Sequence, residues 1–167
     1  MAALQKITPC LWFADQAEEA ARFYAGIFPN SRITHLTRYS DAGTEIHGRP
    51  PGSVMLVSFE LDGQAFTGLN GGPHFTFNEA ISFEVRCGTQ DEIDHYWERL
   101  GAGGDPRAQQ CGWLKDRYGV SWQIVPTGME EMLADAESPG AKRAMTAVLG
   151  MKKIDLAELQ RAYAGTA

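Results

Sequence analysis

No block of lysine or arginine runs along this chain of 167 residues. Its 15 basic residues are outnumbered by 21 acidic ones, for a net charge of -6. That balance lacks the basic stripe a phosphate backbone requires, and no nucleic-acid partner is expected. Long apolar runs are missing too. Stretches such as Val54 to Phe59 are strand-length, far short of the roughly 18 residues a membrane-spanning helix needs, so no membrane partner is expected. The N-terminal MAALQKITPCLWF has no basic region, long apolar core or cleavage site, which predicts a cytoplasmic protein without a secretory leader. Cysteine is scarce: Cys10, Cys87 and Cys111 are odd in number, far apart and without a CxxC pair. They fit reduced thiols rather than a disulfide framework or a structural zinc site. The four histidines (35, 47, 74 and 95) form no HxxxH pair.

What is present is an ordinary globular composition, 44% apolar and 22% charged, long enough for one domain or two fused modules. Residues 7 to 13 alternate as a strand does, and Asp15 with Glu18 has the spacing of a capping box. Ala20, Phe23, Tyr24 and Ile27 then form the apolar stripe of a helix. A strand is predicted over 31–39, a Gly- and Pro-rich loop over 40–52, and a hairpin from Val54–Leu61 to Gln64–Asn70 across Asp62-Gly63.

The pattern then recurs. Residues 80 to 87 read as a strand with Ile81, Phe83 and Val85 on one face, and Thr89 with Glu92 repeats the capping spacing. Ile93, Tyr96, Trp97 and Leu100 repeat the first helical stripe at a constant offset of 73 residues. LDGQAFTGLN (61–70) and RYGVSWQIVP (117–126) match in length, glycine position and apolar pattern. Strand, helix and several strands, written twice, predict an α+β fold of tandem βαβββ modules. The modules span about 5–70 and 80–126 within a domain of residues 1–137. A short helix starts near Gly128, and residues 138–167 then read as a C-terminal helical extension of two further helices, opened by Ser138-Pro139 and by Asp155.

Three long words, ITPCLWFADQAEEAARFYAGIFPNSRI, GLNGGPHFTFNEAISFEV and CGWLKDRYGVSWQIVPTGMEEML, resemble the vicinal oxygen chelate superfamily, which holds glyoxalase I and the bleomycin-resistance proteins. Within it they are similar to the PhnB-like branch, often labelled 3-demethylubiquinone-9 3-methyltransferase-like. The resemblance implies a curved mixed sheet around a cavity and a homodimer. It does not bring a methyl-donor site with it. The Gly-rich stretches GLNGGP and GAGGD do not lie between a strand and a following helix, as a class I methyltransferase loop would.

Metal-dependent members of that superfamily take two ligands per module, from the first and last strands. Carried onto this chain, those positions fall at Thr8 or Pro9, Ala80, Thr67 and Gln123. None is an acid or an imidazole, so the expectation is no metal and no cofactor. The resemblance places Gln123 on the concave face, where its amide can read a small ligand or bond a neighbouring backbone group. Trp12, Asn70, Phe75, Cys111, Trp113 and Asp116 complete the candidate binding residues. Trp113 is assigned to the site and Trp122, on the opposite side of the pleat, to the core. The leading expectation is a metal-independent small-molecule-binding protein. The alternative is an enzyme in the same cavity, with Asp116, Glu60 or Cys111 as the reacting group.

Overall fold

The computed structural model describes residues 5–166. They divide in sequence between Phe77 and Asn78 into two compact units. No helix among the described residues is long and apolar enough to cross a membrane.

The first unit runs β1 (Cys10–Phe13), α1 (Ala17–Ala25), β2 (Arg32–Arg38), α2 (Thr44–His47), β3 (Val54–Leu61) and β4 (Gln64–Asn70). Its sheet has the order β1-β4-β3-β2. β1 is parallel to β4, and the other pairs are antiparallel. The predicted hairpin forms: Asp62 and Gly63 both have positive φ, 46° and 81°, which a two-residue primed turn requires. Val57, Phe59, Leu61 and Phe66 bury one face, with α1 presenting Ala17, Ala20, Ala21 and Tyr24 as its buried side. The helix lies close because β4 carries Gly68 there. A Cβ at that position would meet Val57 at 2.9 Å and Ala17 at 3.1 Å. The other face carries half-buried Trp12, Leu56, Ser58, Thr67 and Leu69.

Two local expectations are corrected in this unit. Asp15 does not cap α1: Gln16 holds the cap position without a side-chain bond, and Asn70 Oδ1 accepts the Ala17 N–H instead, at 2.8 Å. A cap supplied from 53 residues away in sequence leaves no local spacing to read. The 40–52 loop, in turn, is interrupted by the single helical turn α2, which positive-φ Gly43 and Gly48 bracket.

The second unit runs β5 (Phe83–Cys87), α3 (Gln90–Gly101), β6 (Trp113–Lys115), β7 (Ser121–Pro126), α4 (Met129–Leu133), α5 (Pro139–Gly150) and α6 (Leu156–Ala164). Its sheet has the order β5-β7-β6, with β5 parallel to β7. The α+β arrangement of repeated modules forms, but the second module is one strand short. Residues 102 to 112 make a 3₁₀ turn at Pro106–Ala108 and a lone bridge from Gln110 to Trp113. Positive φ at Gly103, Cys111 and Gly112 breaks the extended run that a fourth strand needs. β5 also starts later than predicted, and Ile81 is 72% exposed rather than in the core.

Thr89 caps α3 as predicted: its Oγ1 accepts the Glu92 N–H at 3.2 Å, while Glu92 Oε2 accepts the Gly88 N–H at 2.6 Å. Ser138 and Asp155 likewise cap α5 and α6. Ala144, Val148, Met151, Ile154 and Leu159 form a buried cluster in the C-terminal helices. Gln90 on α3 ties that cluster down. Its Nε2 donates to Ile154 O at 3.2 Å, and its Oε1 accepts the Leu156 N–H at 2.8 Å.

Candidate functional site

Strand alternation sorts the second sheet into two faces. Trp122 and Ile124 on β7 and Leu114 on β6 are buried. They lie on the side of Ile93 and Leu100, the buried residues of α3, so Trp122 takes the core position the sequence assigned it. Ser121, Gln123 and Val125 lie on the other face, beside Trp113 and Lys115 from β6 and Glu84 and Arg86 from β5.

Trp113 pairs directly with Gln123. The Ile124 N–H donates to Gly112 O at 2.8 Å just beside them. That makes Trp113 and Gln123 the non-hydrogen-bonded pair, in which side chains approach most closely. Gln123 Nε2 donates to Ser82 Oγ at 2.9 Å. Nothing among the described residues donates to its Oε1. Gln123 also lines a cleft of about 180 Å³ with Glu84, Arg86, Val125, Met129 and Glu130. Glu84 is its neighbour on β5, but that carboxylate is held by Arg86 at 2.7 Å, and Arg86 reaches Glu130 at 3.2 Å. Lys115 pairs with Glu79, and its hydrogen bond holds the Glu79 carboxyl below the ordinary value. On the same face, Ser121 Oγ is buried with no hydrogen-bond partner among the described residues.

The other predicted residues separate. Asp116 is buried and committed: Oδ1 accepts the Tyr118 and Val120 N–H groups at 2.8 and 3.0 Å, and Oδ2 accepts Trp122 Nε1 at 2.8 Å. It shapes the β6–β7 turn. Cys111 is not on β6 beside Trp113. It precedes the strand with φ +53°, donates its N–H to Met151 O at 2.8 Å, and packs on the C-terminal cluster. In the first unit, Trp12 and Phe75 meet edge-on at 4.9 Å, and Trp12 Nε1 donates to Gly72 O at 2.8 Å. Asn70 is buried, with Oδ1 on Ala17 N–H and Nδ2 on Val54 O. Both ends of its amide serve the fold. Glu60 pairs with Arg32 at 2.8 Å.

Sequence reading missed Ser82 and Ser121. Ser82 precedes β5, and only the parallel register of β5 on β7 brings it to Gln123. Alternation from Gln123 was the one signal for Ser121.

The residues do not fit a divalent metal in the superfamily's usual places. Ala80 is an exposed turn residue, Thr67 and Gln123 carry neutral side chains on β4 and β7, and Thr8 and Pro9 precede β1. Among the described residues no three His, Cys, Asp or Glu side chains gather. Neutral amide and hydroxyl oxygens do not offset the dehydration of such an ion as carboxylates do.

A family described as 3-demethylubiquinone-9 3-methyltransferase matches residues 5–125. The chain belongs to that family. A PhnB protein from Bacillus cereus is 37% identical over 74% of this chain and 100% of its own, with a TM-score of 0.62. Two more distant structures share the fold. Protein PA1353 from Pseudomonas aeruginosa is 19% identical over 74% of this chain and 98% of its own, with a TM-score of 0.56. The fosfomycin resistance protein FosX from Listeria monocytogenes is 16% identical over 78% and 96%, with a TM-score of 0.51. No curated protein matches the chain. The PhnB-like resemblance is borne out.

Proposed function

We propose that this PhnB-like protein is a metal-independent small-molecule binder whose ligand rests on the open face of the second sheet. One observation carries the reading: Gln123 is anchored through Nε2 by Ser82, is free at Oε1, and lies directly opposite Trp113. A held amide beside an indole offers a planar or apolar ligand a stacking surface and one acceptor. The groups nominated for chemistry argue against turnover as the lead. Asp116 is spent on the turn, Glu60 on Arg32, and Cys111 on the C-terminal cluster. Glu84, the carboxylate next to Gln123, faces a guanidinium rather than a proton to abstract.

Methyl transfer, the activity in the family's description, finds no donor site in these loops. The β1–α1 connection is Ala14-Asp15-Gln16 and the β5–α3 connection Gly88-Thr89. Neither is the Gly-rich turn that brings a backbone close to a nucleotide cofactor. A cytoplasmic homodimer, using the edge strand β1, completes the proposal.

The test begins with elemental analysis of the tag-free protein. Thermal shifts with Mg, Mn, Ni, Zn and Fe(II) follow, and then a small-molecule library read by tryptophan fluorescence. No metal at stoichiometry is expected. Hits should weaken about tenfold, near 1.4 kcal/mol, in Gln123→Ala and Trp113→Ala. A stoichiometric metal, or saturable metal stabilisation that Gln123→Ala abolishes, overturns the metal-free reading. Consumption of a hit replaces the binder with an enzyme.

A further inference from the structure

A second site lies wholly within the first unit, independent of the Gln123 face. A cleft of about 420 Å³ is lined by Asp15, Glu18, Arg49, Ser53, Val54 and Asn70. That volume falls within the range of small-molecule pockets, about 300–1,000 Å³.

Arg49 is held in place. Its Nη2 donates to Ala14 O, and its backbone N–H donates to His47 Nδ1 at 3.0 Å. The His47 ring lies against Tyr39 at 4.6 Å between centroids. Half-buried Arg49 nonetheless makes no ion pair among the described residues. A charge partly removed from water without a counter-ion is costly, and a guanidinium fork matches a carboxylate bidentately. Asp15, exposed at the same cleft, carries the opposite charge. Its carboxylate has no hydrogen bond or ion pair among the described residues, whereas Glu18 is already paired with Arg22 at 2.7 Å. The first free N–H of α1 is not available as an anion site, because Asn70 occupies it.

We infer that this cleft binds a small zwitterion of α-amino-acid type, its carboxylate on Arg49 and its ammonium toward Asp15. A simple anion would face Asp15 and Glu18, and a simple cation would face Arg49. Only a ligand carrying both charges meets both free groups.

The experiment follows the Arg49 Nε–Hε resonance of ¹⁵N-labelled full-length protein. The common α-amino acids are titrated singly, with acetate and ethylammonium as the two half-molecules. At least one amino acid should shift the resonance saturably and bind about tenfold or more tighter than either half. Arg49→Lys, followed through the Ala17 backbone amide beside the cleft because it lacks the Arg49 resonance, and Asp15→Asn should each weaken binding by a similar factor. The Asp15 variant removes no contact of the fold, so its melting temperature should be unchanged. Acetate binding as tightly as every amino acid, an Asp15→Asn protein that binds normally, or no saturation by any amino acid overturns the inference.

Discussion

Gln123 and Ser82 are joined by a 2.9 Å hydrogen bond although 41 residues separate them. The parallel pairing of β5 with β7 sets that contact. It turns a lone glutamine in a strand into an oriented amide with one end spent and one end open. The open acceptor beside Trp113 distinguishes this face from the first unit, where the Asn70 amide is used at both ends.

Asp116 organises the β6–β7 turn. Three N–H donors converge on its carboxylate. Asp116→Ala should cost about 2–4 kcal/mol by leaving buried donors unmet. Urea denaturation measures this, and a loss under about 0.5 kcal/mol would show that the turn holds without it.

Asn70 clamps the start of α1 to the end of β4. Asn70→Ala should cost about 1–2 kcal/mol, the scale of a lost helix cap with a second hydrogen bond. Asn70→Asp keeps the acceptor for Ala17 but loses the donor to Val54, and should fall between wild type and alanine. Equal midpoints for the two variants would show that the cap carries none of the stability.

The Cys87 thiol is buried, and burial, with a smaller contribution from Glu92, raises its pKa from 9.0 to about 11. The neutral thiol is therefore the form the fold favours. That contribution is complete below pH 9.0 and is lost as pH rises toward about 11. At pH 8 a thiol reagent should label exposed Cys10 and leave Cys87 unmodified until the protein is unfolded. Prompt labelling of Cys87 under native conditions would contradict its placement.

Gly71 lies against the indole of Trp12, and a Cβ there would come within 2.1 Å of the ring. Gly71→Ala should displace Trp12 from Gly72 O and from Phe75. The expected result is a shifted tryptophan emission with little change in far-UV dichroism. An unchanged emission spectrum would mean the loop absorbs the methyl group by moving.

Much of the architecture was legible because its signals are local. Asp62-Gly63 announces a tight hairpin, Thr89 with Glu92 a capped helix, and the stripes Ala20–Ile27 and Ile93–Leu100 repeat a buried face. The missing strand of the second module was less visible. The 102–112 segment carries glycine and proline, but only its positive-φ backbone shows that it cannot extend. The site was harder still. Simple alternation along 111–115 sets Cys111 on the side of Trp113, and that alternation does not survive a left-handed residue just before the strand.

By itself the sequence determined the helices other than α2, the hairpins, the repeat and the absence of acids and imidazoles at the superfamily's metal positions. These rest on periodicity, turn chemistry and residue type, which act over a few positions. Tertiary structure alone decided which polar groups are spent. It gave Asn70 to α1, Asp116 to Trp122 and Ser82 to Gln123, and it left Arg49 without a carboxylate among the described residues. A hydrogen bond is satisfied by whichever atom folds within about 3 Å of it, and strand register, not spacing along the chain, chooses that atom.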